Sequence, residues 1–329
     1  MIRNQWYIVL ESSEVKPGKP VGVVRMGERL VFWRTASGTL ICMRDQCPHL
    51  GAQLSQGKCQ QDALACPFHG FEFDAGGQCR LIPALGAKGE VPKAVRAETY
   101  RIQEAHGLVY LWWGDPKPEA ELPPLPYFDD LDDSFSCMSF QQPWSTFYSR
   151  IVENQLDVMH LPFVHYNTIG RGGRKVVDGP LVRLENDTLS LWVYNRLDDG
   201  TPVRKAEELP PPTRPPFLIF KFPNFWQNRI SEDYRLTVAF VPVDQENSIL
   251  YGRVYQRMVK VPLLRELVNW ISVLSSKYIA NQDRVIVTRQ RPKVTHLKMG
   301  EKIMPGDRAI LTYRRRRYEL MKQAGQSVD

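Results

Sequence analysis

The chain has 329 residues, 43% of them hydrophobic and 24% charged, with 43 basic against 36 acidic side chains and a formal net charge of +7. That balance excludes wholesale disorder, and no stretch approaches the roughly 18 consecutive apolar residues of a membrane-spanning helix. The excess of base is too mild to call for nucleic acid, and the opening Met1-Ile2-Arg3-Asn4 lacks the layout of a secretory signal, so a cytoplasmic protein without nucleic-acid or membrane partners is expected.

In chain order, the first elements are β-branched or aromatic runs at residues 21–24, 30–33, 39–42 and 108–113, separated by Gly, Pro and charged residues. They predict an all-β module over residues 1–115. Within it lie Cys47-Pro48-His49 and, after sixteen intervening residues, Cys66-Pro67-Phe68-His69. Six cysteines are too sparse for a disulfide scaffold, which leaves buried free thiol as the default for Cys42, Cys59, Cys79 and Cys137. The two Cys/His pairs make a four-ligand clamp. Zinc accepts such a set in a tetrahedron, and a two-iron, two-sulfide cluster accepts both thiolates on one iron and both imidazoles on the other. Spacing alone does not choose, but Gly51 and Gly70 just after the pairs suit tight loops that wrap a cluster.

The stretches 115–118 and 122–126 are dense in proline, so residues 116–140 read as a linker and the start of a second domain, 141–329. In residues 151–165, Asp157 and His160 are three apart and share a face of a predicted helix. Pro162 ends that helix near His160, and the turn beyond swings His165 back towards it. Two histidines and a carboxylate on one side of a metal leave open positions for dioxygen on the other. Strands follow at 189–194, 217–222, 234–240 and 249–255, and Phe217, Phe220, Phe222, Phe225 and Trp226 are candidates for an aromatic pocket lining, although aromatic strands are more often plain core. The longest helical pattern, 262–290, carries an apolar stripe through Leu264, Leu267, Val268, Ile271, Leu274, Tyr278, Ile279 and Ile286. Asp283 lies one turn from Ile279 and Ile286 and is expected on the buried face, where a carboxylate needs a cation, a metal or a proton. The run Arg314–Arg317 reads as the solvated face of a C-terminal helix. Strands with long helices before and after them imply an α+β domain with an antiparallel sheet.

The strings CPHLGAQLSQG and CPFHGFEFDAGG resemble the cluster loops of the Rieske family. Ala52 and Phe68 stand where the respiratory branch carries two further cysteines, so the likeness is to the oxygenase branch. Leu50 and Phe71 depart from the arginine and tryptophan often found beside these loops. Asn154, Asp157, His160 and His165 fall in order on the run N-x-x-D-x-x-H-x-x-x-x-H of the mononuclear-iron segment of Rieske oxygenases, and residues 282–287 resemble the segment that delivers the iron-binding aspartate.

The resemblance implies a Rieske [2Fe-2S] cluster on Cys47, His49, Cys66 and His69, and a mononuclear Fe(II) on His160, His165 and Asp283. Asp157 would link His160 to a cluster histidine of a neighbouring subunit, and Asn154 is a candidate for orienting a polar substrate group. The implied architecture is an N-terminal all-β Rieske domain and a C-terminal helix-grip catalytic domain, assembled head to tail as a homotrimer. The implied activity is hydroxylation or oxidative demethylation of a small aromatic or cyclic substrate with O2. Electrons would come from a separate NAD(P)H-dependent reductase or ferredoxin, since no Gly-x-Gly-x-x-Gly fingerprint is present. The alternatives are a cis-dihydroxylating dioxygenase, a non-catalytic Rieske electron-transfer protein and a zinc-binding interaction protein.

Overall fold

Short β-branched and aromatic runs, several of them buried along nearly their whole length and broken by turn residues, build three small sheets in the first part of the chain. The computed structural model describes residues 1–327, which fall into two units: Gln5–Gly114, and residues 115–327 together with Met1–Asn4. In the first unit the strands are β1 (Gln5–Glu11), β2 (Val21–Arg25), β3 (Glu28–Arg34), β4 (Leu40–Arg44), β5 (Lys58–Gln60), β6 (Ala63–Ala65), β7 (Glu72–Asp74), β8 (Cys79–Leu81), β9 (Thr99–Tyr100), β10 (Ile102–Ala105) and β11 (Leu108–Trp113). The sheets run β1-β11-β10, β2-β3-β4-β9 and β5-β6-β7-β8. Between the last two lies an apolar cluster that includes Val31, Trp33, Met43, Leu64 and Phe73, and Cys47 and Cys66 belong to it. Full burial of a side chain of this size contributes about 1.5–3 kcal/mol, so the loops that carry the two thiols rest on a firm base.

The second unit is one seven-stranded antiparallel sheet with helices against it. Its elements are β12 (Ser136–Trp144), α1 (Tyr148–Leu156), α2 (Leu161–Val164), β13 (Val176–Glu185), β14 (Thr188–Arg196), β15 (Leu218–Lys221), β16 (Phe225–Asn228), β17 (Tyr234–Pro242), β18 (Ser248–Gln256), α3 (Pro262–Val287) and α4 (Arg308–Gln323). The sheet order is β12-β18-β17-β16-β15-β14-β13. Helix α3 packs on β12 and β18, α1 on β17, and α4 on β13 and β14. The core between them includes Trp144, Phe147, Ile151, Leu189, Phe220 and Tyr313.

Three expectations are corrected here, and the choice between core and pocket lining for the aromatic cluster is decided. Most of the stripe of α3 faces away from the sheet: Leu264, Leu267, Ile271, Leu274, Tyr278 and Ile286 are exposed, Val268 and Ile279 are half-buried, and the buried side chains are Asn269, Val273, Asp283 and Val287. The sheet accepts that narrower face because Val273 meets Phe140 and Val254, and the Asn269 amide reaches Ser136 Oγ at 3.3 Å. Phe220, Phe222, Phe225 and Trp226 are core rather than pocket lining: the first two pack on Tyr313, and Phe225 packs on Tyr127 and Phe128. The Arg314–Arg317 run is only partly solvated. Arg314 and Arg317 are buried, Arg314 in a bidentate pair with Glu153 at 2.8 and 2.7 Å, Arg317 on the Thr295 carbonyl at 2.6 Å. Finally, Cys42 and Cys79 are buried free thiols, but Cys137 is exposed and Cys59 half-buried.

Candidate metal centres and active site

Each cluster loop is a tight turn closed by its own backbone. Cys47 N–H donates to the Ala52 carbonyl at 2.8 Å and Gly51 N–H to the Cys47 carbonyl at 2.9 Å. In the second loop Cys66 N–H donates to Phe71 at 2.8 Å and Gly70 N–H to Cys66 at 3.0 Å. The turns require φ near +75° at Gly51 and +71° at Gly70, where a side chain would be strained. Asp45 anchors the first loop by accepting from Ser55 N–H and Ser55 Oγ, both at 2.6 Å.

The result is a polarised set of donors. The thiols of Cys47 and Cys66 are buried, whereas His49 and His69 are exposed with ring centroids 4.8 Å apart. Phe71 stacks on His49 at 4.8 Å, so the departure from tryptophan keeps a flat aromatic surface behind the imidazole. Burial pushes the Cys47 thiol up, to about 11, against the backbone N–H groups of His49 and Leu50, which favour the thiolate. A thiolate here therefore needs a strong local cation.

The second centre is built from two segments. Helix α1 ends at Leu156, and Asp157 is extended, so Asp157 and His160 do not share a helix as the spacing predicts. Pro162 starts a helix rather than ending one: it sits in the first turn of α2, where its missing N–H costs nothing, with His160 before that turn and His165 after it. The two imidazoles still meet, with ring centroids 5.2 Å apart. Asp283 comes to them from α3. Its Oδ1 lies 3.4 Å from His160 Nε2 and 3.0 Å from His165 Nε2.

Several neighbours orient these three side chains. Asn154 Nδ2 donates to Asp283 Oδ1 and Gln155 Nε2 to Oδ2, both at 3.4 Å, while Asn154 Oδ1 accepts from Gln155 at 2.9 Å. Both ends of the Asn154 amide are thus engaged within the protein, and its side chain bears on Asp283. Asp157 Oδ2 stands 3.5 Å from His160 Nδ1, and its Oδ1 accepts from Met159 N–H at 2.7 Å. His165 Nδ1–H donates to Gln282 Oε1 at 2.9 Å, leaving Nε2 free to bind a metal. Burial works against the charged form of His165, but the hydrogen bond and charge of Asp283, with Gln282, raise its pKa above the ordinary histidine value.

Residues 5–101 match the family described as the Rieske [2Fe-2S] domain, and residues 144–323 match the vanillate O-demethylase oxygenase C-terminal domain. The chain belongs to the Rieske oxygenases. It is 34% identical over 177 residues to aminopyrrolnitrin oxygenase of Pseudomonas fluorescens, covering 53% of this chain and 48% of that protein. It is 29% identical over 259 residues to the 3-chlorobenzoate-3,4-dioxygenase oxygenase subunit of Comamonas testosteroni, covering 76% of this chain and 58% of that one. The chain thus spans about half the length of these curated relatives. The crystal structure of dicamba monooxygenase bound to dicamba superimposes with a TM-score of 0.75 at 19% identity over 99% of both chains, a likeness that establishes the fold.

A Rieske oxygenase carries a [2Fe-2S] cluster and a mononuclear iron, and the donors fit both. Among the described residues, only His160, His165 and Asp283 bring three donor atoms within 4.8 Å of one another. The Cys47/His49/Cys66/His69 set, with thiols inside and imidazoles outside, suits a two-iron cluster that takes both thiolates on one iron and both imidazoles on the other. Donors about 2.1 Å from one shared ion stand about 3 Å apart at a right angle, close to the 3.4 and 3.0 Å that separate Asp283 Oδ1 from the two imidazole nitrogens. Two buried donors and a half-buried one facing each other this closely suit a cation between them.

Sequence reasoning missed Gln282, Thr168 and Asn167. Gln282 Oε1 also accepts from Thr168 Oγ1 at 2.9 Å, and its Nε2 donates to Asn167 Oδ1 at 2.7 Å, so one glutamine ties α3 to the histidine loop. The available signal was an amide directly before Asp283 on the same helix.

Proposed function

We propose that this chain is the oxygenase component of a multicomponent system in the cytoplasm. It hydroxylates or oxidatively demethylates a small aromatic or cyclic substrate, using O2 and electrons from a separate NAD(P)H-dependent reductase or ferredoxin. The observation that carries this reading is the convergence of His160, His165 and Asp283 in a chain that also holds the Rieske loops. When bound, the cluster supplies single electrons and the iron activates dioxygen.

The chain's own residues set the conditions. Cys47 and Cys66 hold the cluster from the buried side, and His49 and His69 form its outer face beside the exposed Leu50 and Phe68, where an electron donor can approach. His160, His165 and Asp283 hold the iron, and Asn154, Gln155 and Gln282 keep those ligands in position. Asp157 connects His160 Nδ1 to a cluster histidine of the neighbouring subunit in a head-to-tail homotrimer. Association of copies is supported by the row of exposed apolar side chains on α3, including Leu263, Leu267, Trp270 and Leu274, which a lone chain leaves in water. Monooxygenation is favoured over cis-dihydroxylation. A hydroxyl delivered to a methyl carbon bound to oxygen or nitrogen yields formaldehyde and the demethylated product.

The test is a substrate screen with a surrogate reductase that scores formaldehyde and hydroxylated products together. In parallel, His160→Ala is expected to lower iron from about three to about two per chain, with the cluster's visible spectrum retained and turnover abolished. Turnover that survives His160→Ala refutes the assignment.

A further inference from the structure

The two cluster loops have little to hold their tips together. At the base they are joined by the pairing of β5 with β6, Lys58 opposite Ala65 and Gln60 opposite Ala63. At the tips each loop closes on itself, and apart from the two thiols no hydrogen bond among the described residues runs from residues 47–53 to residues 66–71. With Ala52 and Phe68 where the respiratory branch carries cysteines, no disulfide spans them. What crosses is a set of rings. Phe71 of the second loop stacks on His49 of the first with centroids 4.8 Å apart and planes only 5° from parallel, and His49 meets His69 edge to face at 4.8 Å.

The two phenylalanines of the second loop are not equivalent. Phe68 lies 3.9 Å from the His69 ring, but its plane is tilted by 35° and its side chain is exposed. Phe71 is buried, in the same apolar cluster as Cys47 and Cys66. A ring anchored in the core and lying flat on an exposed imidazole does two things. It limits rotation of that imidazole, because an offset stack survives only while the planes stay parallel. It also denies water one face of the ligand, and the potential of an iron–sulfur cluster responds to water access and to the groups that orient its ligands.

We infer that Phe71 is a positioning residue for the cluster: stacked across the gap between the loops, it fixes the plane of His49 and holds the reduction potential down. The sign follows from charge. With two thiolates and two neutral imidazoles the oxidised cluster carries no net charge and the reduced one a single negative charge. Water at the His49 face, and loss of the electron-rich face of Phe71, therefore both favour the reduced form. The inference rests on the cluster reading of the four ligands.

The experiment measures the reduction potential of the holoprotein by voltammetry, with pulsed EPR of the reduced cluster alongside. Phe71→Leu keeps an apolar side chain but no flat face, and is expected to raise the reduction equilibrium constant at least about threefold, roughly 30 mV for one electron. Phe71→Trp should stay within about 1.5-fold of the parent, roughly 10 mV. Phe73→Leu, in the same core but stacked on neither imidazole, should lose stability and leave the potential in place. One of the two imidazole nitrogen couplings should change in Phe71→Leu while the other stays. If Phe71→Leu does not hold the cluster, Phe71→Met is read in the same way. An unmoved potential, unchanged nitrogen couplings, a shift in Phe71→Trp as large as in the leucine variant, or an equal shift in Phe73→Leu each overturn the inference. Failure of the cluster reading shows earlier, as a parent protein without the Rieske EPR signal, and takes the inference with it.

Discussion

Replacing Gln282 with leucine isolates the contribution of the residues behind the iron ligands. The side chain is similar in size, so the change removes hydrogen bonds more than volume. Three are lost: those from His165 Nδ1–H and Thr168 Oγ1, and the one to Asn167. His165 is only 1% exposed, so water cannot replace the acceptor at Nδ1. A buried donor left unmet costs about 1–3 kcal/mol. If that cost falls on the metal-binding orientation of the ring, it weakens the iron complex by roughly 5- to 150-fold, a range that contains the 10–100-fold usual for partners of ligating histidines. The assay is anaerobic competition with a coloured ferrous chelator, with the Rieske spectrum as an internal control. Gln282→Leu is expected to raise the iron dissociation constant by about 10–100-fold, and Gln282→Glu, which keeps an acceptor, to stay near the parent value. Parent-like affinity in Gln282→Leu, or equal losses in the two variants, would refute the reasoning.

Glu153→Gln removes the carboxylate shared by Arg314 and Arg150 in a setting where all three side chains are about 5% exposed, and breaking such a pair costs about 3–5 kcal/mol. The urea midpoint of the second unit should fall accordingly, and a loss under about 1 kcal/mol contradicts the prediction. The Asp178 carboxyl is held below the ordinary aspartate value by the Arg204 backbone N–H and then by the Arg204 and Arg196 guanidinium groups, which together outweigh burial. A depressed folded-state pKa stabilises above the unfolded value of about 3.9 and is lost as the pH falls through the folded one. Asp178→Asn should therefore cost most stability near pH 6–7 and progressively less below about pH 4, and a cost independent of pH argues against this role. Leu267→Glu with Leu274→Glu places charge on the exposed row of α3. Light scattering should then report a smaller particle than the parent forms, and an unchanged mass would remove the support this row gives to the trimer.

The longer strands are legible where an apolar or alternating run is long enough to read. Residues 108–113 are β11 to the residue, and residues 234–240 fall inside β17, because alternation or a continuous apolar run is written locally in the sequence. The short strands β5 to β8 were not legible: three residues carry too little pattern. Asp283 was placed on the buried face for a reason that proved wrong. Counting apolar residues on α3 selects the row that faces away, whereas the sheet side is set by where Phe140 and Ser136 leave room for Val273 and Asn269. Arg314 shows the other limit. Its partner Glu153 lies 161 residues earlier, and no local pattern distinguishes it from the exposed Arg315 beside it.

The two halves of the iron site reach each other only through a long detour of chain. The hydrogen bond between Gln282 and His165 spans 117 residues, and strands β13 to β18 all lie between them. A half-made polypeptide owns the pair of imidazoles but not the acid, and offers iron little more than a loose peptide would. Iron held by these residues would therefore link segments that six strands separate, and would stabilise the completed fold over partly folded chains.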